Sequence, residues 1–216
     1  MDLLSINLGQ SRPDPAGRPD RTTGIYKFPV DAPVEVNLLG PVGDVIVSAK
    51  HHGGPDQAVY IYGQTDYDWW AGELGRELAP GTFGENLTVS DLESAAFDIG
   101  DLLHVGDEVT LQVTAPRLPC ATFAARLGDP LFVKKFRAAE RPGLYCRVLA
   151  EGRLQVGDPV WVEEYPGETV SLLHVYRDHY EPELTEAAIR RILAAPVAVR
   201  LRERKEKEMQ KVLAGG

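Results

Sequence analysis

Apolar residues recur at every second position in short runs as far as Val162. The clearest are Val34-Glu35-Val36-Asn37-Leu38, Val109-Thr110-Leu111-Gln112-Val113 and Leu144-Tyr145-Cys146-Arg147-Val148. A period of two sends successive side chains to opposite faces, which predicts half-buried strands. Further strands are predicted around Val45–Val47 and at Leu87-Thr88-Val89. Gly-Asp pairs at 43–44, 100–101, 106–107, 128–129 and 157–158 punctuate these runs. Glycine before a small polar residue marks a turn, because it reaches positive φ without a Cβ clash. Many short strands with frequent turns predict a mainly β, barrel-like or sandwich-like domain. Strands and helices do not alternate regularly, which argues against a doubly wound parallel sheet.

Helical spacing appears in two places. Tyr67, Trp70, Leu74 and Leu78 predict one helix over Gln64–Leu78, with Asp66 and Asp68 near its positive end and Pro80-Gly81 as its stop. After Thr169 the pattern becomes helical throughout. Leu172, Leu173 and Tyr176 fit a first helix, and Leu184, Ala188, Ile192 and Leu193 a second. Val197 to Leu213 fit a third, with Glu203 and Lys207 spaced for an i,i+4 pair. Tyr165-Pro166-Gly167 reads as a linker. The expected organisation is a β domain over 1–165 and a three-helix appendage over 166–216, too small to stand alone and so packed on the β part.

Composition excludes several classes. The chain has 216 residues, enough for a sizeable core, and 44% of them are hydrophobic, which argues against disorder. Two cysteines cannot build a disulfide framework. No uncharged apolar run approaches the ~18 residues of a membrane span. Met1–Ser11 includes Asp2 and lacks a basic leader region, so a cytoplasmic protein is expected. The net charge of −9 argues against a nucleic-acid binder. The charge is uneven: Glu183–Gly216 carries 8 Lys and Arg against 5 Asp and Glu. Such a basic tail is either a solvated helix face or a docking surface for an acidic partner.

Candidate chemistry is sparse. There is no Walker A sequence, no G-x-S-x-G, no H-E-x-x-H and no paired C-x-x-C. His51 and His52 are neighbours and would face opposite ways on a strand, a poor zinc pair. Cys146 shares a strand face with Leu144 and Val148, a core position. Cys120 sits in Ala115-Pro116-Arg117-Leu118-Pro119-Cys120, a proline-stiffened segment. Arg117 nearby would favour a thiolate, the form that binds metals or attacks. On these residues alone, a structural and a functional Cys120 both stand. Two glycine-bearing segments, Lys50–Asp56 and Pro80–Leu87, complete the set of shaped loops that could converge on a pocket.

Five ordered stretches carry a family resemblance. They are His52-Gly53-Gly54-Pro55-Asp56-Gln57-Ala58-Val59-Tyr60, Asp66-Tyr67-Asp68-Trp69-Trp70, Pro80-Gly81-Thr82-Phe83-Gly84-Glu85-Asn86-Leu87-Thr88, Pro116-Arg117-Leu118-Pro119-Cys120 and Gly143-Leu144-Tyr145-Cys146-Arg147-Val148-Leu149. Together they resemble the MOSC domain family, named for the C-terminal domain of molybdenum-cofactor sulfurases, and within it the YiiM-type subgroup with a helical tail. The resemblance implies a β-barrel-like fold and a molybdenum cofactor (Mo-molybdopterin). It implies Cys120 as the metal's protein thiolate. His52, Gly53, Gly54, Thr82, Phe83, Gly84, Asn86 and Arg117 are the implied cofactor-binding residues. Asn86 matches an asparagine of the related mitochondrial amidoxime-reducing component, whose preceding arginine-proline is Gly84-Glu85 here. Thr122 stands where some subgroup members have lysine. The implied activity is reduction of N-hydroxylated purines and amidoximes, with electrons from a separate flavoprotein; pyridoxal phosphate is not expected. Sulfur transfer through a Cys120 persulfide and non-catalytic cofactor carriage are the alternatives. No membrane or nucleic-acid partner is expected, and a monomer and a dimer both fit the chain.

Overall fold

The alternating runs become strands with the expected faces inward. The computed structural model describes residues 1–17, 20–47 and 53–215. In chain order the strands are β1 (Leu3–Gly9), β2 (Arg12–Pro13), β3 (Thr22–Thr23), β4 (Lys27–Val30), β5 (Val34–Asn37), β6 (Gly40–Pro41) and β7 (Val59–Gly63). They continue as β8 (Leu87–Val89), β9 (Leu102–Val105), β10 (Val109–Pro116), β11 (Leu144–Ala150), β12 (Gly152–Leu154) and β13 (Val160–Glu163). The α-helices are α1 (Gln64–Leu74), α2 (Ala121–Leu127), α3 (Phe132–Ala139), α4 (Leu172–Tyr180), α5 (Glu186–Ala194) and α6 (Val199–Gly215). In β5, Val34 and Val36 are buried while Glu35 and Asn37 face solvent.

Eight strands form one sheet in the order β13-β9-β10-β11-β7-β8-β1-β4. Its pairings are antiparallel except β7 with β8, which run parallel. A parallel pair needs a crossover, and α1 with the Pro80–Asn86 loop supplies it. The β13 end of the sheet approaches the start of β1, the last strand but one on the other side: Leu3 N–H donates to Asp158 O, and Val160 N–H donates to Met1 O. Only the isolated bridge Asp2–Pro159 joins them there among the described residues, so the expected barrel is not closed. The reason is local. From Ile6 onward the free edge of β1 is taken by β4, which leaves only its first residues for the far end of the sheet.

The core has two parts. Leu3, Ile61, Leu103, Leu111, Val113 and Leu144 pack under the sheet with Leu172, Val175 and Ile192 of the C-terminal helices. These helices therefore bury their apolar stripes in the same core as the strands. A second, aromatic core lies among α1, α2 and α3: Tyr62, Tyr67, Trp70, Phe83, Phe123, Phe132 and Phe136. Tyr62 stacks on Phe83 at 4.5 Å and Trp70 on Phe136 at 5.9 Å between ring centroids. Such pairs add ~1 kcal/mol each beyond the area they bury.

Several expectations are corrected. No strand forms around Val45–Val47. There the backbone is pressed against Gly24, where a Cβ would meet Val45 O at 1.9 Å, and Gly9 N–H bonds the Asp44 side chain rather than a backbone carbonyl. Helix α1 ends at Gly75, whose φ of 62° makes it a left-handed cap, before Pro80-Gly81 is reached. Helices α2 and α3 lie outside the two places where helical spacing predicted helices. The glycines of all five Gly-Asp pairs do take positive φ.

The basic tail is also less exposed than its composition suggests. Lys205 is fully buried, paired with Asp178 at 2.5 Å and Glu208 at 2.7 Å. Arg202 donates to Leu193 O and Ala195 O, and Arg204 contacts His179 and Asp178. Among the described residues the i,i+4 ion pair on α6 is Arg204–Glu208 rather than Glu203–Lys207.

Candidate cofactor site

The site is built where β10 leaves the sheet. Its last residue, Pro116, still pairs with Leu144 on β11. The next four residues have no regular structure and deliver Cys120 as the N-cap residue of α2. Arg117, 4% exposed, is held between rings: its guanidinium carbon lies 4.9 Å from the Tyr60 centroid and 4.4 Å from that of Phe123. Its Nη1 donates to Phe83 O, while its Nε is buried without a hydrogen-bond partner. Burial works against this charge, but Tyr145, Tyr60 and Cys120 more than offset it and hold the group above its ordinary value.

The Pro80–Asn86 loop is fastened from inside by Glu85. Its Oε1 accepts from Tyr67 OH at 2.6 Å, Gly81 N–H at 2.5 Å and Thr88 Oγ1 at 3.0 Å. Burial pushes the Glu85 carboxyl above its usual range, and its Oε2 has no partner. Asn86 follows as a strut: its Oδ1 accepts from Tyr60 N–H at 3.1 Å and its Nδ2 donates to Asp44 Oδ2 at 3.0 Å. Asp44 also accepts from Lys27 Nζ at 2.5 Å. Burial pulls the Lys27 amine below its ordinary value, against the opposing pull of Asp44.

These groups meet at one cavity of about 740 Å³, a size suited to a cofactor or a drug-sized ligand. Five predicted residues line it: Gly53, Gly84, Asn86, Arg117 and Cys120. Lys27, Asp44, Tyr60 and Tyr145 line it as well and were not foreseen. Thr82, Phe83 and Gly54 are not among its described walls. Phe83 is buried in the aromatic core and offers its carbonyl to Arg117. Thr82 turns its carbonyl to Arg126, and Gly54 lies beneath Arg200. His52, with Lys50 and His51, lies outside the described residues. The Gly84 N–H bonds to Gly81 O, so that residue contributes close approach, with a φ of 75°, rather than a donor. A shallower depression of about 290 Å³ along α6 is lined by charged side chains such as Arg200 and Glu203 and holds no thiol.

The unforeseen residues had a faint signal. Tyr145 lies on the opposite face of the alternation that sends Cys146 inward. Lys27 is a lone cation inside Tyr26-Lys27-Phe28-Pro29-Val30. Tyr145 lies within the Gly143–Leu149 stretch of the family resemblance but was not singled out there, Lys27 sits in no such stretch, and only folding brings Lys27 to Asp44.

The two thiols are in different settings. Cys120 is half-buried at the cavity. Cys146 is fully buried, and burial pushes its thiol up. Among the described residues no group of three His, Cys, Asp or Glu could hold a bare metal ion. One reachable thiol, a buried arginine with an unpartnered Nε, and a roomy cavity with Lys27 on its wall fit a metal carried by an anionic organic cofactor.

Comparison with known proteins agrees with this architecture. The MOSC domain model matches residues 48–161, and the chain belongs to that family, which is associated with the molybdenum cofactor. The protein YflK of Bacillus subtilis is 34% identical over 89% of this chain and 86% of its own length. A protein of Gibberella moniliformis named reductase is 33% identical over 81% of this chain but only 31% of its own length. The crystal structure of YiiM from Geobacillus stearothermophilus superposes with a TM-score of 0.79 at 28% identity, covering 96% of this chain and 98% of that one. No helix among the described residues is long and apolar enough to cross a membrane.

Proposed function

We propose that the protein is a molybdenum-cofactor-dependent reductase of N-hydroxylated compounds, with N-hydroxylated purines and amidoximes as its substrate class. One observation carries the reading: Cys120, Arg117, Asn86, Gly84 and Gly53, from three separate segments, line a single cavity. Family membership and the reductase name of one relative support it.

When bound, the cofactor supplies a metal that takes up oxygen and passes two electrons. Cys120 would hold that metal through its sulfur, a soft ligand suited to it. Arg117 is oriented in advance by Phe83 O and the rings of Tyr60 and Phe123, and its unpartnered Nε would be a donor for an anionic group of the cofactor. Lys27 adds a second cation, kept in place by Asp44. Tyr60 and Tyr145, 4.9 Å apart, offer aromatic walls to a planar substrate. Burial pushes both hydroxyls up, so they stay neutral donors. In the net conversion an N–OH group takes two electrons and two protons and yields N–H and water. A separate flavoprotein supplies the electrons and docks on exposed cations of the tail, such as Lys207 and Lys211.

The test is metal analysis of protein from a host that makes the cofactor, followed by reduction assays with an artificial electron donor. Stoichiometric molybdenum with turnover supports the reading. A Cys120 persulfide without metal would select sulfur transfer, and bound cofactor without turnover would select a carrier.

A further inference from the structure

We propose that Arg200, at the start of α6, is a positioning residue: it holds the Gly53–Gln57 loop in the shape that forms one wall of the cavity. Its two terminal nitrogens diverge onto that loop. Nη1 donates to Gln57 Oε1 at 2.9 Å and Nη2 to Gly53 O at 3.3 Å. Gly53 and Gln57 both line the cavity. The seam is closed again one residue away. Asp56 Oδ2 accepts from Val199 N–H at 2.6 Å, and its Oδ1 pairs with Arg147 at 3.0 Å. Thr114 Oγ1 donates to Asp56 O, and Thr114 O accepts from Ala198 N–H.

The loop needs such a clamp. Gly53 and Gly54 have φ of 83° and 86°, values that glycine permits but does not fix. A planar guanidinium reaches two separated acceptors from two nitrogens at once, whereas a lysine ammonium offers its three donors from one nitrogen and has no such fork. The matched family domain ends at Trp161, so this wall is completed by a residue that the C-terminal helices supply. The inference rests on reading the cavity as the cofactor site.

Arg200→Ala, Arg200→Lys and, as a control on the same helix, Glu206→Ala test it in the full chain. Amide hydrogen exchange at 53–58 is measured without cofactor. Molybdenum and pterin retained per chain are then followed with time after loading. Both Arg200 variants are expected to exchange faster in the loop and to lose cofactor about 10-fold faster, as when other supporting contacts around a metal are removed. Glu206→Ala is expected to match the wild type. Unchanged loop exchange overturns the proposal, and so does faster exchange with wild-type retention or full rescue by lysine. A wild-type protein that takes up no cofactor contradicts the proposed function instead, and loop exchange then decides the clamp alone.

Discussion

Asn86 and Asp44 are joined across 42 positions of chain by a 3.0 Å hydrogen bond on the cavity wall. The bond gives Asn86 a structural task beside any contact with a ligand. It orients the Asp44 carboxylate that pairs with Lys27 and ties β8's leading loop to the Gly43–Asp44 turn. Asn86→Asp would set two buried carboxylates against each other at that point. The expected loss is ~3 kcal/mol of stability, typical of a buried charge left without a proper partner. Urea unfolding measures it; a variant as stable as the wild type would show that the amide is not a strut.

Glu85 gives a pH-dependent prediction. Burial raises its folded-state pKa, so the folded protein holds this proton more tightly than the unfolded chain. The stability from that proton is fully present below the ordinary glutamate range and is lost as pH rises through the raised folded value. Glu85→Gln removes the titration and keeps an acceptor oxygen for Tyr67, Gly81 and Thr88. Unfolding free energy compared between the two proteins from pH 4 upward should narrow in the wild type's disfavour as pH increases, at about the range where a buried carboxyl titrates. A pH-independent difference would contradict this assignment.

The two cysteines should be chemically distinct in the folded protein. Cys120 is reachable at the cavity, whereas Cys146 is fully buried with its thiol pushed up. A thiol reagent added to native, cofactor-free protein should modify Cys120 alone, and both residues after denaturation, as read by peptide mass spectrometry. Labelling of Cys146 in the native state would refute the burial argument.

Lys205 separates a structural cation from a docking one. It is fully buried between Asp178 and Glu208. Lys205→Glu is expected to cost ~3–5 kcal/mol and to detach α6 from α4, since it leaves buried carboxylates facing one another. Lys211→Glu, at an exposed position, should stay within about 0.5 kcal/mol of the wild type. Thermal unfolding followed by circular dichroism decides between them. Only substitutions of the second kind can report on donor docking.

Much of the fold was legible because it is written in local periods. Val34–Asn37 alternates with its apolar members buried, and the alternating Val109, Leu111, Val113, Leu144, Cys146 and Val148 are buried as well, although Gln112, Thr114 and Tyr145 on the other faces of their strands are also covered and Leu149 is exposed. The three C-terminal helices show their apolar stripes at Leu172, Ile192 and their neighbours. Helices α2 and α3 were missed because each is short and enclosed by turn formers. Their signs are one i,i+4 apolar pair each, Phe123 with Leu127 and Phe132 with Phe136. Val45–Val47 has strand composition but no ladder, since its neighbour Gly24 approaches by backbone contact. At the site, Cys120, Arg117 and Asn86 stood out through their loops and the family resemblance. Lys27 and Asp44 did not, because an ion pair between distant segments leaves no pattern in either one.

The central claim is that Cys120 is the sulfur that holds the metal. Turnover per chain and molybdenum retained per chain, measured for Cys120→Ala and Cys146→Ala with folding confirmed by circular dichroism, test it most directly. Cys120→Ala should stay folded, because the residue lies at the cavity and loses little packing, and should abolish N-hydroxyl reduction. Cys146→Ala should cost ~1 kcal/mol and keep its activity per bound molybdenum. An active Cys120→Ala protein, or a folded Cys146→Ala protein without activity, would contradict the account.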